Sequence, residues 1–190
     1  MTRRMIFDVE SVGLAGEGFA VGWVVFDGEQ EVSQGLFACA AQAAHGSAAG
    51  ASWINANVPR RLLYPAPKDE VFRDTPAAMR TAFWNAWQEA GGREIELWAD
   101  CGWPVEARFL NHAVEDSLTY RSCPSDAVVY AREMQGPYPL NEISTLFRAC
   151  RALGHPVADV PPAEPHNPLE DARASAKTLL LCLKALGISP

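Results

Sequence analysis

The chain reads as one α/β domain, a mixed sheet flanked by helices, and three features predict it. A meander of strands opens the chain, strand-like runs then alternate with helix-period segments, and no linker divides two cores. Its 190 residues suffice for one well-buried core. A content of 48 % apolar and 21 % charged residues is that of a globular protein.

Arg4 to Asp8 form a short apolar run. Gly18 to Phe26 is rich in Val, Phe and Trp, and Asp27-Gly28 is a hairpin signal ahead of Glu31 to Phe37. From Ala38 to Pro67 the chain is rich in Ala and Gly, then in Pro and Arg, and reads as loop with at most a short helix. Thr75 caps the next helix with Pro76 at its first position. Met79, Phe83, Ala86, Trp87 and Ala90 form its apolar stripe, and Gly91-Gly92 ends it.

Glu94 to Ala99 reads as a strand, and Pro104 opens a helix carrying Phe109, Leu110 and Ala113 inward. Ala127 to Ala131 reads as a further strand, and Leu140 to Leu153 as a helix closed by Gly154. A proline-rich stretch, Pro156 to Pro165, precedes the last helix. Asn167 caps that helix, Pro168 comes first, and Glu170 stands at the capping-box position. Leu169, Ala172, Ala176, Leu179, Leu183 and Leu186 make its buried face.

Composition narrows the function. Five dispersed cysteines without a CxxC pair suit free thiols in a reducing compartment better than a disulfide framework or zinc. No apolar run approaches the roughly 18 residues of a membrane helix, and the start lacks a secretory leader. A cytoplasmic protein without membrane contact is expected. The net charge of -7 is unusual for a nucleic-acid binder. Two bound divalent cations would add four positive charges at one spot and invert the local field.

Two constellations of acids stand out. Asp8 and Glu10 end the first strand and, two residues apart, share a face. Two acids together on a central strand are unfavourable unless a cation neutralises them. His166 precedes the last helix cap, and Asp171 lies one turn into that helix, able to turn to the same cleft. A third group, Asp100 and Glu106, flanks the turn between a strand and a helix, and either acid could face the cleft. Glu106 and Glu170 also have ordinary roles at helix starts. Trp103, beside Pro104, is a candidate for stacking on a base. Arg60, Arg61, Arg148, Arg151 and Arg173 are scattered and read as solvated.

These motifs resemble those of the DEDDh 3′–5′ exonucleases of the ribonuclease-H-like fold. The first motif of that family is roughly D-x-E-T-T-G-L, and residues 8–14 here read DVESVGL. The third is roughly H-x-A-L-x-D-A, and residues 166–172 read HNPLEDA. The second departs: an Asp is expected three residues before a Phe-Leu pair, and Glu106 stands there before Phe109-Leu110. Asp100 is the other candidate for that position.

The resemblance implies a ribonuclease-H-like sheet, in which parallel strands extend the antiparallel meander. It implies a 3′–5′ exonuclease acting on RNA or DNA. Asp8, Glu10, Asp171 and an acid of the second motif would hold two ions, Mg²⁺ or Mn²⁺. His166 would serve as general base, since an imidazole titrates near neutrality. Ser11, Gly13 and Leu14 would lie beside the 3′ nucleotide of a single strand, Leu14 wedging against its base. A homodimer is compatible with this reading. Two rivals share the fold: a degenerate domain that binds nucleic acid or a protein without catalysis, and an endonuclease or transposase-like enzyme. The histidine five residues before the last Asp points away from the latter.

Overall fold

The computed structural model describes residues 2–119, 129–130, 132–136 and 139–189. The meander forms as the sequence predicts: β1 is Arg3–Ser11, β2 Gly18–Asp27 and β3 Gln30–Ala38. Asp27 pairs with Gln30 across the tight turn at Gly28, whose φ is +61°. β1 pairs antiparallel with β2 along its whole length and parallel with β4, Glu96–Ala99. β4 pairs parallel with β7, Leu140–Glu142. The sheet order is β3-β2-β1-β4-β7, so β1 is central and β1, β4 and β7 run parallel. This is the mixed α/β sheet that the motifs imply.

The last strand corrects the sequence reading. Leu140 was expected to start a helix, but residues 140–142 extend the sheet and the helix α5 runs Ile143–Ala152. The expected strand Ala127–Ala131 does not join this sheet. Its described part, β6 (Val129–Tyr130), pairs with β5 (Leu118–Thr119) in a separate two-stranded ladder; residues 127, 128 and 131 lie outside the described residues. The stretch read as loop contains two helices, α1 Ala48–Asn57 and α2 Arg60–Leu63. Ser47 caps α1 by accepting the Gly50 N–H at 3.0 Å. α3 spans Pro76–Ala90, with Thr75 accepting the Ala78 N–H at 3.1 Å. Pro104 lies in an irregular turn over 102–106, and α4 begins only at Ala107, running to Glu115. α6 is Pro168–Ala185, capped by Asn167 as expected.

Apolar layers cover both faces of the sheet. Met5, Phe7 and Val9 of β1 pack toward α3 and α4, where Phe83 lies 5.1 Å from Phe7 and 5.4 Å from Phe109 between ring centroids. Ile6, Val24 and Phe26 face the other way, onto Ile143 of α5 and Ala172, Ala176, Leu179 and Leu183 of α6. Alternation along β1 therefore fixes which helices meet which strand positions. Among the described residues no helix is long and apolar enough to cross a membrane.

Candidate active site

Asp8 and Glu10 continue the Ile6 side of β1, the side on which α6 packs. The start of α6 reaches them because Gly22 faces Asp8 across the sheet. A Cβ on Gly22 would stand 2.2 Å from the Leu169 nitrogen and 2.4 Å from the Pro168 carbonyl carbon. The helix backbone thus lies directly on a strand with no side chain there. Gly22→Ala should lift the start of α6 from the sheet and destabilise the fold by about 2 kcal/mol, the usual cost of overpacking. Thermal unfolding checks this; an unchanged midpoint would mean that α6 is not seated through Gly22.

Oxygen atoms of Asp8, Glu10 and Asp171 all lie within 4.8 Å of one another. Asp171 sits in the first turn of α6, its N–H bonded to the Asn167 carbonyl at 2.9 Å. Glu106, 8 % exposed at the foot of α4, brings a further buried carboxylate toward them. Burial and mutual repulsion raise every one of these groups. Asp8 is raised well above the usual carboxylate range by burial, then by Glu10, Glu106, Asp171 and Asp100. Glu10 is pushed up to about 7 by burial, then by Asp171 and Glu106. Glu106 is also raised to about 7 by burial, although its own and the Val9 backbone amide oppose the rise. Asp171 reaches about 6 through burial, with the His166 and Asn167 backbone opposing. A crowded set of hard oxygen donors of this kind fits divalent cations.

Asp100 is exposed, just beyond the end of β4 at the rim of the cluster, and is raised by burial of its carboxylate, then by Asp159 and Glu142. Of the two candidate acids of the second motif, Glu106 is the more buried, while Asp100 lines the cleft beside Asp8, Glu10 and Asp171. Asp159 and Glu142 are acids that the sequence reading missed. Asp159 lines a cleft of about 460 Å³ together with Asp8, Glu10, Asp100, His166 and Asp171. Glu142 ends β7 and accepts the Gly102 N–H at 2.9 Å and the Thr145 hydroxyl at 2.7 Å. Asp8, Glu10, Asp100 and Glu142 all mark the carboxyl ends of the parallel strands, the usual place for ligands on such sheets.

His166 stands at the cleft with Nδ1 3.6 Å from Glu10 Oε1. Its ring meets that of Trp53 on α1 edge-on, at 4.9 Å between centroids. Ser11 turns inward, its hydroxyl donating to the Gly13 carbonyl at 3.0 Å, and Gly13 holds a φ of +79°. Leu14 is 72 % exposed at the tip of this loop. Ser11, Gly13 and Leu14 line a second, mostly apolar cavity of about 320 Å³ with Trp53 and Val105. Val9 and Glu10 line both cavities, so the apolar one adjoins the carboxylates. Trp53 is the aromatic that the sequence reading missed.

Trp103, in the irregular turn, is 70 % exposed and lines neither cavity. Glu170 does not close a capping box: its carboxylate accepts from Arg173 at 2.7 Å. Arg61 and Arg173 are likewise not simply solvated, each being engaged by glutamates.

No family model and no curated protein matches this sequence. Solved structures do match in fold. The chain aligns over 97 % of its length with a moderately thermophilic exonuclease I from Methylocaldum szegediense, at 14 % identity and a TM-score of 0.64. It aligns over 97 % with the metal-free E. coli exonuclease I–ssDNA complex at 12 % identity and a TM-score of 0.59. A further exonuclease I structure gives 97 % coverage, 13 % identity and a TM-score of 0.59. The chain spans only about two-fifths of those proteins, covering 41 %, 40 % and 41 % of them respectively. The five-stranded mixed sheet and its flanking helices are thus those of the exonuclease I nuclease fold, and at these identities the likeness is one of fold.

Proposed function

We propose that this chain is a divalent-metal-dependent 3′–5′ exonuclease that removes nucleotides from the 3′ end of a single strand. The convergence of Asp8, Glu10 and Asp171 to within 4.8 Å carries this reading. These three and Glu106 would hold two Mg²⁺ or Mn²⁺ ions. Such ions supply charge stabilisation for phosphodiester hydrolysis and lower the pKa of bound water. His166 faces the same cleft, and its place at the carboxylate rim suits an imidazole that accepts a proton from water. The carboxylates fix where the scissile phosphate can stand, since an anion is held among them only through cations. Beside them, the cavity of Leu14, Trp53 and Val105 offers apolar surface to an unpaired base.

Incubating 5′-labelled RNA and DNA oligonucleotides with protein and Mg²⁺, Mn²⁺ or chelator tests the reading. Stepwise shortening that needs metal is expected, and a 3′-labelled strand should release its label first. His166→Ala should lower turnover about a hundredfold or more while metal binding stays near normal. Wild-type activity in that variant would remove His166 from the chemistry. No shortening under any metal would leave a fold that binds without cutting.

A further inference from the structure

The loop that carries His166 is held in an unusual conformation. Glu164 to Asn167 form a tight turn closed by the Asn167 N–H on the Glu164 carbonyl at 3.3 Å. Pro165 takes its second position and His166 its third, with φ at +61°. A turn headed by proline with positive φ at the third position ordinarily has glycine or asparagine there. Residues other than glycine are uncommon in that region, histidine less so than most, and contacts from the surroundings help to hold it there.

The surroundings are supplied by α1 and α2, which only two residues separate. Arg61 of α2 donates through Nη1 to Glu164 Oε1 at 2.8 Å and through Nη2 to Oε2. Glu164 Oε2 also accepts from Asn167 Nδ2 at 2.8 Å. Both ends of the turn are thus gathered on one carboxylate that a bidentate guanidinium fixes. Ile54, Leu62 and Leu63 bury the two helices in the core, so Arg61 projects from an anchored base. Trp53 of α1 meets the His166 ring edge-on. Exposed ion pairs add little to global stability, so the effect of this one falls on the turn.

We propose that Arg61 and Glu164 are positioning residues that set the place of the His166 imidazole in the cleft. The proposal rests on the exonuclease reading for its catalytic consequence, but not for its structural one. Arg61→Ala, Arg61→Lys and Glu164→Gln would be compared with the wild type in turnover on a labelled oligonucleotide. Arg61→Ala should lower kcat about tenfold, as expected when a catalytic group is displaced by a fraction of an ångström to an ångström. Its KM should stay within about twofold, and its thermal midpoint within about 2 °C. Arg61→Lys, which keeps the charge but loses the fork, should recover part of kcat.

Proton–carbon NMR of the histidine rings gives a readout independent of cleavage. The His166 signals, assigned by their loss in His166→Gln and displaced by the Trp53 ring current, should move in Arg61→Ala. An unchanged kcat in an active protein, a rise in KM alone, or unmoved His166 signals would each overturn the proposal. If the wild type cuts nothing, the exonuclease reading fails, and the His166 signals in Arg61→Ala still decide the tether.

Discussion

Asp8→Asn should cut turnover about a thousandfold and, in chelator at pH 8, raise the thermal midpoint. The two effects have one cause. Asp8 lies at the middle of the acidic cluster, with Glu10, Glu106, Asp171 and Asp100 all raising its pKa on top of burial. The amide keeps the shape but removes a charge that the fold does not favour and a cation requires. The loss of a group that acts as part of a unit is typically this large, and relief of buried repulsion is worth on the order of 1 kcal/mol or more. Single-turnover cleavage and thermal unfolding measure the two. Loss of activity together with loss of stability would mean that Asp8 supports the fold rather than a cation.

The second large effect is a coupling of pH, metal and stability. Glu10 and Glu106 titrate near 7 in the folded chain and Asp171 near 6, against ordinary values of 4.5, 4.5 and 3.8. Between about pH 4.5 and 7 the folded state therefore binds more protons than the unfolded one. Stability falls wherever the folded state holds the excess of protons. With respect to these groups the metal-free protein should be most stable below about pH 4 and lose stability as pH rises from there through 7. Each pKa unit corresponds to about 1.4 kcal/mol, so Glu10 or Glu106 alone accounts for a loss of a few kcal/mol. Divalent cations compete with those protons and should restore the loss. Mn²⁺ should raise the melting temperature strongly at pH 8 and weakly at pH 5. An equal rise at both, or none, would separate the carboxylates from metal binding.

Much of this was legible in the sequence because the signals were local. Strand alternation put Asp8 and Glu10 on one face, and Asn167-Pro168 located the start of α6, hence Asp171. What escaped had weak local signals or depended on distant partners. α1 buries only Gly50 and Ile54 and has almost no apolar stripe, so its Ala- and Gly-rich segment read as loop and Trp53 went unnoticed. β7 is three residues long and runs straight into α5, which leaves no room for a two-residue period to show. Asp159 sits in a proline-rich stretch with no pattern, and only its return past Asp100 makes it an acid of the cleft. The burial of Glu106 beyond the irregular backbone over 102–106 was likewise hidden from a reading of spacing alone.

The seating of α6 on Gly22 also governs when the acidic cluster can assemble. The meander needs only neighbouring segments, yet His166 and Asp171 come from the opposite end of the polypeptide. Pairings so remote in sequence form late, after the long intervening loop is closed. During synthesis the meander can therefore pair before Asp171 arrives, and the acidic cluster is completed only once α6 docks on β2.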